Sequence, residues 1–152
     1  MIILEQILYV GGYTHDIETD ESTGGSGIMI YAFDKETGHL QLLDTVEAGK
    51  NPAWLALGRD SLYAANEYEG GGGVTAFRFQ DGYKLKKLNS IQVHTSNTCH
   101  MALDQKNRRL YAANIFGKSF MTIPLKPDGA LGESAHVTYH DGSSTHPRQT
   151  KA

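Results

Sequence analysis

His100 and Glu67 are side chains that can take a proton from water, and the amides of Asn66 and Asn114 can donate to an oxygen that gains negative charge. Their spacing carries information too. Asn66 and Asn114 each close the same phrase, Leu62-Tyr-Ala-Ala-Asn66 and Leu110-Tyr-Ala-Ala-Asn114, while Trp54 and His100 stand 46 residues apart at matching positions after Asn51 and Asn97. An asparagine that recurs in this way can also be a turn residue bonding its own backbone. Tyr13 and Tyr68 accompany these groups. Toward the end of the chain His140, His146, Arg148 and Lys151 gather as the best anion-facing feature, with Arg148 able to clamp a carboxylate or phosphate. The run Gly70-Gly-Gly-Gly73 lacks a following Lys-Ser/Thr and reads as a b–c turn, not a phosphate cradle. The seven histidines contain no H-x-H pair, and neither a metal nor another cofactor is expected.

The elements that must position these residues repeat along the chain. Leu8-Tyr-Val-Gly11, Leu62-Tyr-Ala-Ala65 and Leu110-Tyr-Ala-Ala113 are each followed by a second apolar run, starting at Gly27, Gly73 and Ser119, 46 residues apart twice over. A strand-rich period of about 40–50 residues is the interval of a β-propeller blade. In the second unit the alternation of apolar and polar residues predicts strands a to d at Ala53–Leu57, Ser61–Asn66, Gly73–Phe79 and Leu85–Val93. Hairpin turns between c and d support the division, at Asp34–Gly38, Gln80–Gly82 and Lys126–Gly129, each ending on Gly. No segment has a convincing helical period. The expected organisation is all-β: an incomplete first blade over 4–49, a second over 50–95, a third over 96–142, and the start of a further blade over 143–152. Three such units cannot close a ring on their own, so unclosed blade edges invite self-association.

Composition narrows the class of protein. A formal charge of −3 gives no general attraction to nucleic acid or to an anionic membrane, so neither is an expected partner. Cys99 is the one cysteine, which excludes an intrachain disulfide and a thiolate zinc cage and points to a cytoplasmic setting. Met1 to Leu8 include Glu5 and do not read as a signal peptide.

Tyr9-Val-Gly-Gly-Tyr-Thr14, Gly27-Ile-Met-Ile-Tyr-Ala-Phe33, Leu62-Tyr-Ala-Ala-Asn-Glu67, Leu110-Tyr-Ala-Ala-Asn114, Pro127-Asp-Gly-Ala-Leu131 and His140-Asp-Gly142 with Pro147-Arg-Gln149 resemble, in order, the N-terminal half of the lactonase family of seven-bladed β-propellers. That family holds the propeller type of 6-phosphogluconolactonase and the carboxymuconate-lactonising cyclases. The resemblance implies about three blades of seven, and a His-x-His pair that would follow Ala152. It also implies lactone chemistry on a small anionic substrate. Opening a lactone needs a base for water, donors for the tetrahedral oxyanion and a cation for the substrate's anionic group. His100 or Glu67 is the candidate base, Asn66 or Asn114 the donor, and His140 and Arg148 the anion-binding groups.

The expected activity is hydrolysis of a sugar lactone, 6-phosphogluconolactone foremost, with only part of the site in these residues. A lactonising cyclase acting on a carboxymuconate is the enzymatic alternative. A non-catalytic propeller that serves as a binding platform is the alternative of another class, since one fold hosts many functions.

Overall fold

The computed structural model describes residues 6–16, 19–68, 70–93, 97–115, 118–133, 135–140 and 142. Among these residues eleven strands form three antiparallel sheets arranged as successive blades. Blade 1 has three strands, β1 (Ile7–Gly11), β2 (Ile28–Phe33) and β3 (Leu40–Val46). Blade 2 is β4 (Pro52–Leu57), β5 (Ser61–Tyr68), β6 (Gly71–Gln80) and β7 (Lys84–Val93). Blade 3 is β8 (Thr98–Asp104), β9 (Arg109–Asn114), β10 (Ser119–Pro124) and β11 (His136–Tyr139). Within each sheet the order follows the chain, as meander connections dictate, and blade 1 starts at its b strand.

The glycine run behaves differently from a loose turn. Gly71 pairs with Tyr68, Gly72 with Glu67 and Gly73 with Asn66, so the ladder runs on and only residues 69 and 70 connect the strands. Close approach explains why these positions lack side chains. A Cβ on Gly73 would fall 2.4 Å from the Ile91 carbonyl oxygen, and one on Gly72 would fall 2.6 Å from Thr98 Oγ1 in the next blade.

Period-two alternation decides which face of each strand meets which neighbour. From β5, Leu62 and Ala64 point to blade 1 and pack with Ile28, Ala48 and Phe77. Tyr63 and Ala65 point the other way, into a cluster with Val74, Met101, Leu110, Met121 and Leu131. Blade 2 is therefore buried on both faces. In blade 3, Leu110 and Ala112 are buried against blade 2, whereas Ala113 on the opposite face is exposed. Burying one Leu or Phe side chain stabilises the fold by about 1.5–3 kcal/mol, so these two seams supply most of the adhesion between blades.

A polar contact accompanies each seam. Tyr9 donates its hydroxyl to the Tyr83 carbonyl at 2.8 Å, and Tyr63 donates to the Gly129 carbonyl at 2.9 Å. Both tyrosines occupy the position after Leu in the repeated phrase, and both acceptors lie in the c–d turn of the following blade. Burial pushes the hydroxyl of each above the ordinary tyrosine range.

Candidate functional site

Strand pairing brings the starts of β4 and β8, the ends of β5 and β9 and the starts of β6 and β10 to one rim. Asn51 and Asn97 stand at the entry to β4 and β8 with φ of 44° each, a left-handed conformation that Asn adopts more readily than most residues. Both are buried. Asn51 joins two blades: the backbone N–H groups of Thr14 and His15 donate to its Oδ1 at 2.9 and 2.8 Å, and its own carbonyl accepts from Glu67 N–H at 3.0 Å. Asn97 repeats only the backbone part of this one blade on, its carbonyl accepting from Ile115 N–H at 3.1 Å while its own backbone N–H donates to the Gly71 carbonyl at 2.6 Å. Asn51 Nδ2 and Asn97 Oδ1 are buried and have no hydrogen-bond partner among the described residues.

The chain that Asn51 pins in this way carries a short polar contact to the end of β5. Tyr13 donates its hydroxyl to Glu67 Oε2 at 2.6 Å, across 54 residues of sequence. That hydrogen bond, with burial and the carboxylate's charge behind it, pushes the Tyr13 pKa up to about 12. Tyr13 thus stays protonated through the neutral range and orients the carboxylate. Beside them burial, then the Glu67 charge, raises the Cys99 thiol above its usual value, which disfavours the thiolate. Along the adjacent inner strands Trp54 of β4 and His100 of β8 stack, ring centroids 4.1 Å apart and planes at 42°. The His100 ring is left exposed on this inner surface.

The two recurrent asparagines have other partners. Asn66 is buried, donates from Nδ2 to the Ala48 and Lys50 carbonyls at 2.7 and 2.9 Å, and accepts at Oδ1 from the Thr75 hydroxyl at 2.9 Å. Asn114 accepts from Thr98 Oγ1 at 2.7 Å and donates to Ser119 Oγ at 3.1 Å. These amides tie strands and connections together instead of turning toward a ligand, and Asn66 reaches across to the connection before β4, not to its own backbone. Both hydrogens of the Asn66 amide are committed, so an oxyanion-binding role would require the blade to open.

His140 follows the outermost strand of blade 3, its N–H donating to the Lys118 carbonyl at 2.6 Å and its ring 6.4 Å from Phe120. Three strand spacings separate that strand from β8, about 14 Å, so His140 does not join His100. His136 and His140 stand four apart, which on a helix would place two imidazoles on one face; along an extended strand that is about 13 Å. No group of three His, Cys, Asp or Glu that could hold a metal comes together among the described residues. Arg148, His146 and Lys151 lie outside the described residues.

A groove of about 860 Å³ opens between blades 1 and 2, next to the Tyr13–Glu67 pair rather than over it. His15, Lys50, Lys87, Ser90 and Tyr68 line it. Lys50 forms an ion pair with Asp20 at 2.6 Å and sits 5.9 Å over the Tyr68 ring. The cations of this groove escaped the sequence reading. Lys50 directly precedes Asn51, so the rule that marks strand entries could have found it, whereas His15 and Lys87 give no signal until the b–c connection of blade 1 is seen to fold over blade 2.

Three meander sheets stacked face to face, with polar side chains collected at one rim, define a β-propeller segment. The chain belongs to the lactonase family of seven-bladed β-propellers: the sequence profile described as "Lactonase, 7-bladed beta-propeller" matches residues 7–152. It is 30% identical over 148 residues to the 6-phosphogluconolactonase of Bacillus subtilis, covering 94% of this chain and 40% of that protein. Among solved structures it is similar to a Bacteroides fragilis protein whose 6-phosphogluconolactonase assignment is provisional, with a TM-score of 0.81, 28% identity and coverage of 94% and 38%. It is also similar to the periplasmic gluconolactonase of Pseudomonas aeruginosa, with a TM-score of 0.80, 26% identity and coverage of 95% and 41%. The chain thus spans about two fifths of the length of these relatives.

Proposed function

We propose that this chain carries the first part of a site that hydrolyses a sugar lactone, 6-phosphogluconolactone to 6-phosphogluconate being the favoured reaction. The Tyr13–Glu67 hydrogen bond on the rim is the observation that supports it: a carboxylate fixed by a neutral donor, within a chain of a lactonase family. In this reading the second Glu67 oxygen, or the His100 imidazole, takes the proton of a water that attacks the lactone carbonyl. The carbonyl carbon becomes tetrahedral, its oxygen gains charge, and collapse breaks the ring C–O bond, with the proton returned to the leaving alkoxide. Trp54, stacked on His100, offers an apolar wall to a sugar ring. Of the cations lining the adjoining groove, Lys50 is already paired with Asp20 and Glu47 lies on the same wall, which leaves Lys87 as the group suited to an anionic part of the substrate. A cytoplasmic setting belongs to the proposal as well; cell fractionation checks it.

The test is acid release above the spontaneous rate from 6-phosphogluconolactone, from unphosphorylated gluconolactone and from a carboxymuconolactone, followed in weakly buffered solution. Faster release from the phosphorylated sugar supports the proposal. Preference for the carboxymuconolactone favours the cyclase, and binding of all three without turnover favours a platform. Glu67→Gln and His100→Ala should each lower turnover by at least about tenfold, while unchanged rates in both would remove them from the chemistry.

A further inference from the structure

A second pocket, of about 200 Å³, lies at the opposite rim, in the seam between blades 2 and 3. The a–b turns of both blades and the c–d turn of blade 3 form it. Both walls are internal to the chain, and the seam beneath them is filled by Tyr63, Leu110 and Leu131. Ser61 on this pocket and Glu67 on the other rim are six residues apart along β5, which separates the two sites by about 20 Å.

The lining is rich in cations. Arg59, Arg78, Arg108 and Lys126 share it with Asp60 and Asp128, a surplus of two positive charges in a chain of formal charge −3. Lys126 has Glu133 at 3.8 Å, and Asp128 Oδ1 accepts from Ala130 N–H at 3.1 Å. The three arginines are exposed, and their guanidinium groups have no ion pair or hydrogen bond among the described residues.

Their backbones, by contrast, are fixed. Arg59 N–H donates to Gln105 Oε1 at 3.2 Å, which ties the two a–b turns together. Arg108 N–H donates to the Gln105 carbonyl at 3.4 Å, and its own carbonyl accepts from Leu125 N–H at 2.9 Å. Arg78 is held in the ladder between Ser61 and Lys86. Two of these placements are costly. Arg108 holds φ at 50°, a left-handed turn position that glycine fills more cheaply. Arg78 stands directly opposite Lys86, and like charges in that relation destabilise a sheet, a cost that an anion bound at the pocket offsets.

We propose that this pocket binds a phosphoryl dianion, free or as the monoester of a small molecule. Its volume is below the roughly 300–1,000 Å³ that encloses a whole drug-sized ligand, so it admits the phosphoryl group and leaves the remainder outside. Three guanidiniums suit a phosphoryl group better than a carboxylate, because each planar fork engages a pair of oxygens and the phosphoryl group has three terminal ones. The surplus of two charges matches a dianion.

Calorimetric titration of the chain with inorganic phosphate, methyl phosphate and acetate tests this, at low salt and about pH 8, where phosphate is dianionic. One phosphate binds per chain, and acetate binds at least about tenfold more weakly. Arg108→Gly, which removes the guanidinium and suits the left-handed backbone, and Arg78→Gln each weaken phosphate binding by at least about tenfold, with an unchanged circular dichroism spectrum. Methyl phosphate held as tightly as inorganic phosphate identifies a monoester as the ligand, and methyl phosphate held more weakly identifies free phosphate; both results uphold the site. No phosphate binding, acetate held equally well, or binding that survives both arginine substitutions would each overturn it. Binding that survives them but is lost in Lys87→Gln also overturns it, by moving the anion to the groove of the other rim.

Discussion

Tyr13 and Glu67 share a short hydrogen bond that works only while the phenol keeps its proton. Its pKa, raised from 10.0 to about 12, means that the folded state holds this proton more tightly than the unfolded chain does. The sign follows: the stabilisation is fully present below about pH 10 and fades as the pH climbs toward 12. Glu67→Gln removes the charge, so ultraviolet titration of the phenolate should find Tyr13 ionising at lower pH than in the wild type. An unmoved midpoint would mean that Glu67 does not govern Tyr13. Both residues were legible as rim candidates because the repeat marks strand ends, but their pairing was not. It depends on how the connection over residues 12–27 bends back, and no local pattern in that polar, glycine-rich stretch encodes the bend.

At the level of single elements, the entry to each inner strand is the most consequential joint. Asn51→Ala would lose the acceptor for Thr14 and His15 and force a side chain other than Asn or Gly to hold φ near 44°. We expect a loss of about 2–4 kcal/mol, read from the denaturant midpoint. Asn51→Gly should recover only the backbone share, and equal losses for the two variants would show that the hydrogen bonds dominate. The strands themselves were readable to within a few residues, since alternation and Gly-ended hairpins agreed. Gly70–Gly73 misled for a physical reason: glycine serves both turns and crowded ladders, and sequence alone does not show that Ile91 and Thr98 press against this strand. Asn66 and Asn114 were open to two readings for a related reason. A recurrent amide suits a ligand and an internal tie equally well, and only burial tells them apart.

Across the whole molecule, protection is unevenly shared. Blade 2 is covered on both sides and its neighbours on one, so amide exchange should be slowest in β5 and β6 and faster in β3 and β11. Uniform protection would imply that all three blades open together. Leu62→Ala, in the seam between blades 1 and 2, should cost about 2–5 kcal/mol and raise exchange in β1 and β2 more than in β9 and β10. The three-blade plan was visible in the sequence because Leu-Tyr pairs and hairpin glycines recur in step. Which faces would be left without a neighbour was not visible, as Ala65 and Ala113 are the same residue in the same phrase and differ only in what lies next to them.

The b–c connection of blade 1 is clamped at its base, by Asn51 and by Thr23 N–H donating to the Thr14 carbonyl at 3.0 Å, while blade 2 makes the same crossing in two residues. His15 and Ser22 pair above that clamp, and among the described residues beyond them Asp20 alone reaches blade 2, through its ion pair with Lys50, so the length of this excursion weighs little on the seams. Lineages can lengthen, shorten or recompose it at little cost to folding, and because it borders the groove, such edits would alter what the rim admits. The propeller, in this respect, separates the part of its sequence that must be inherited from the part that is free to be tried.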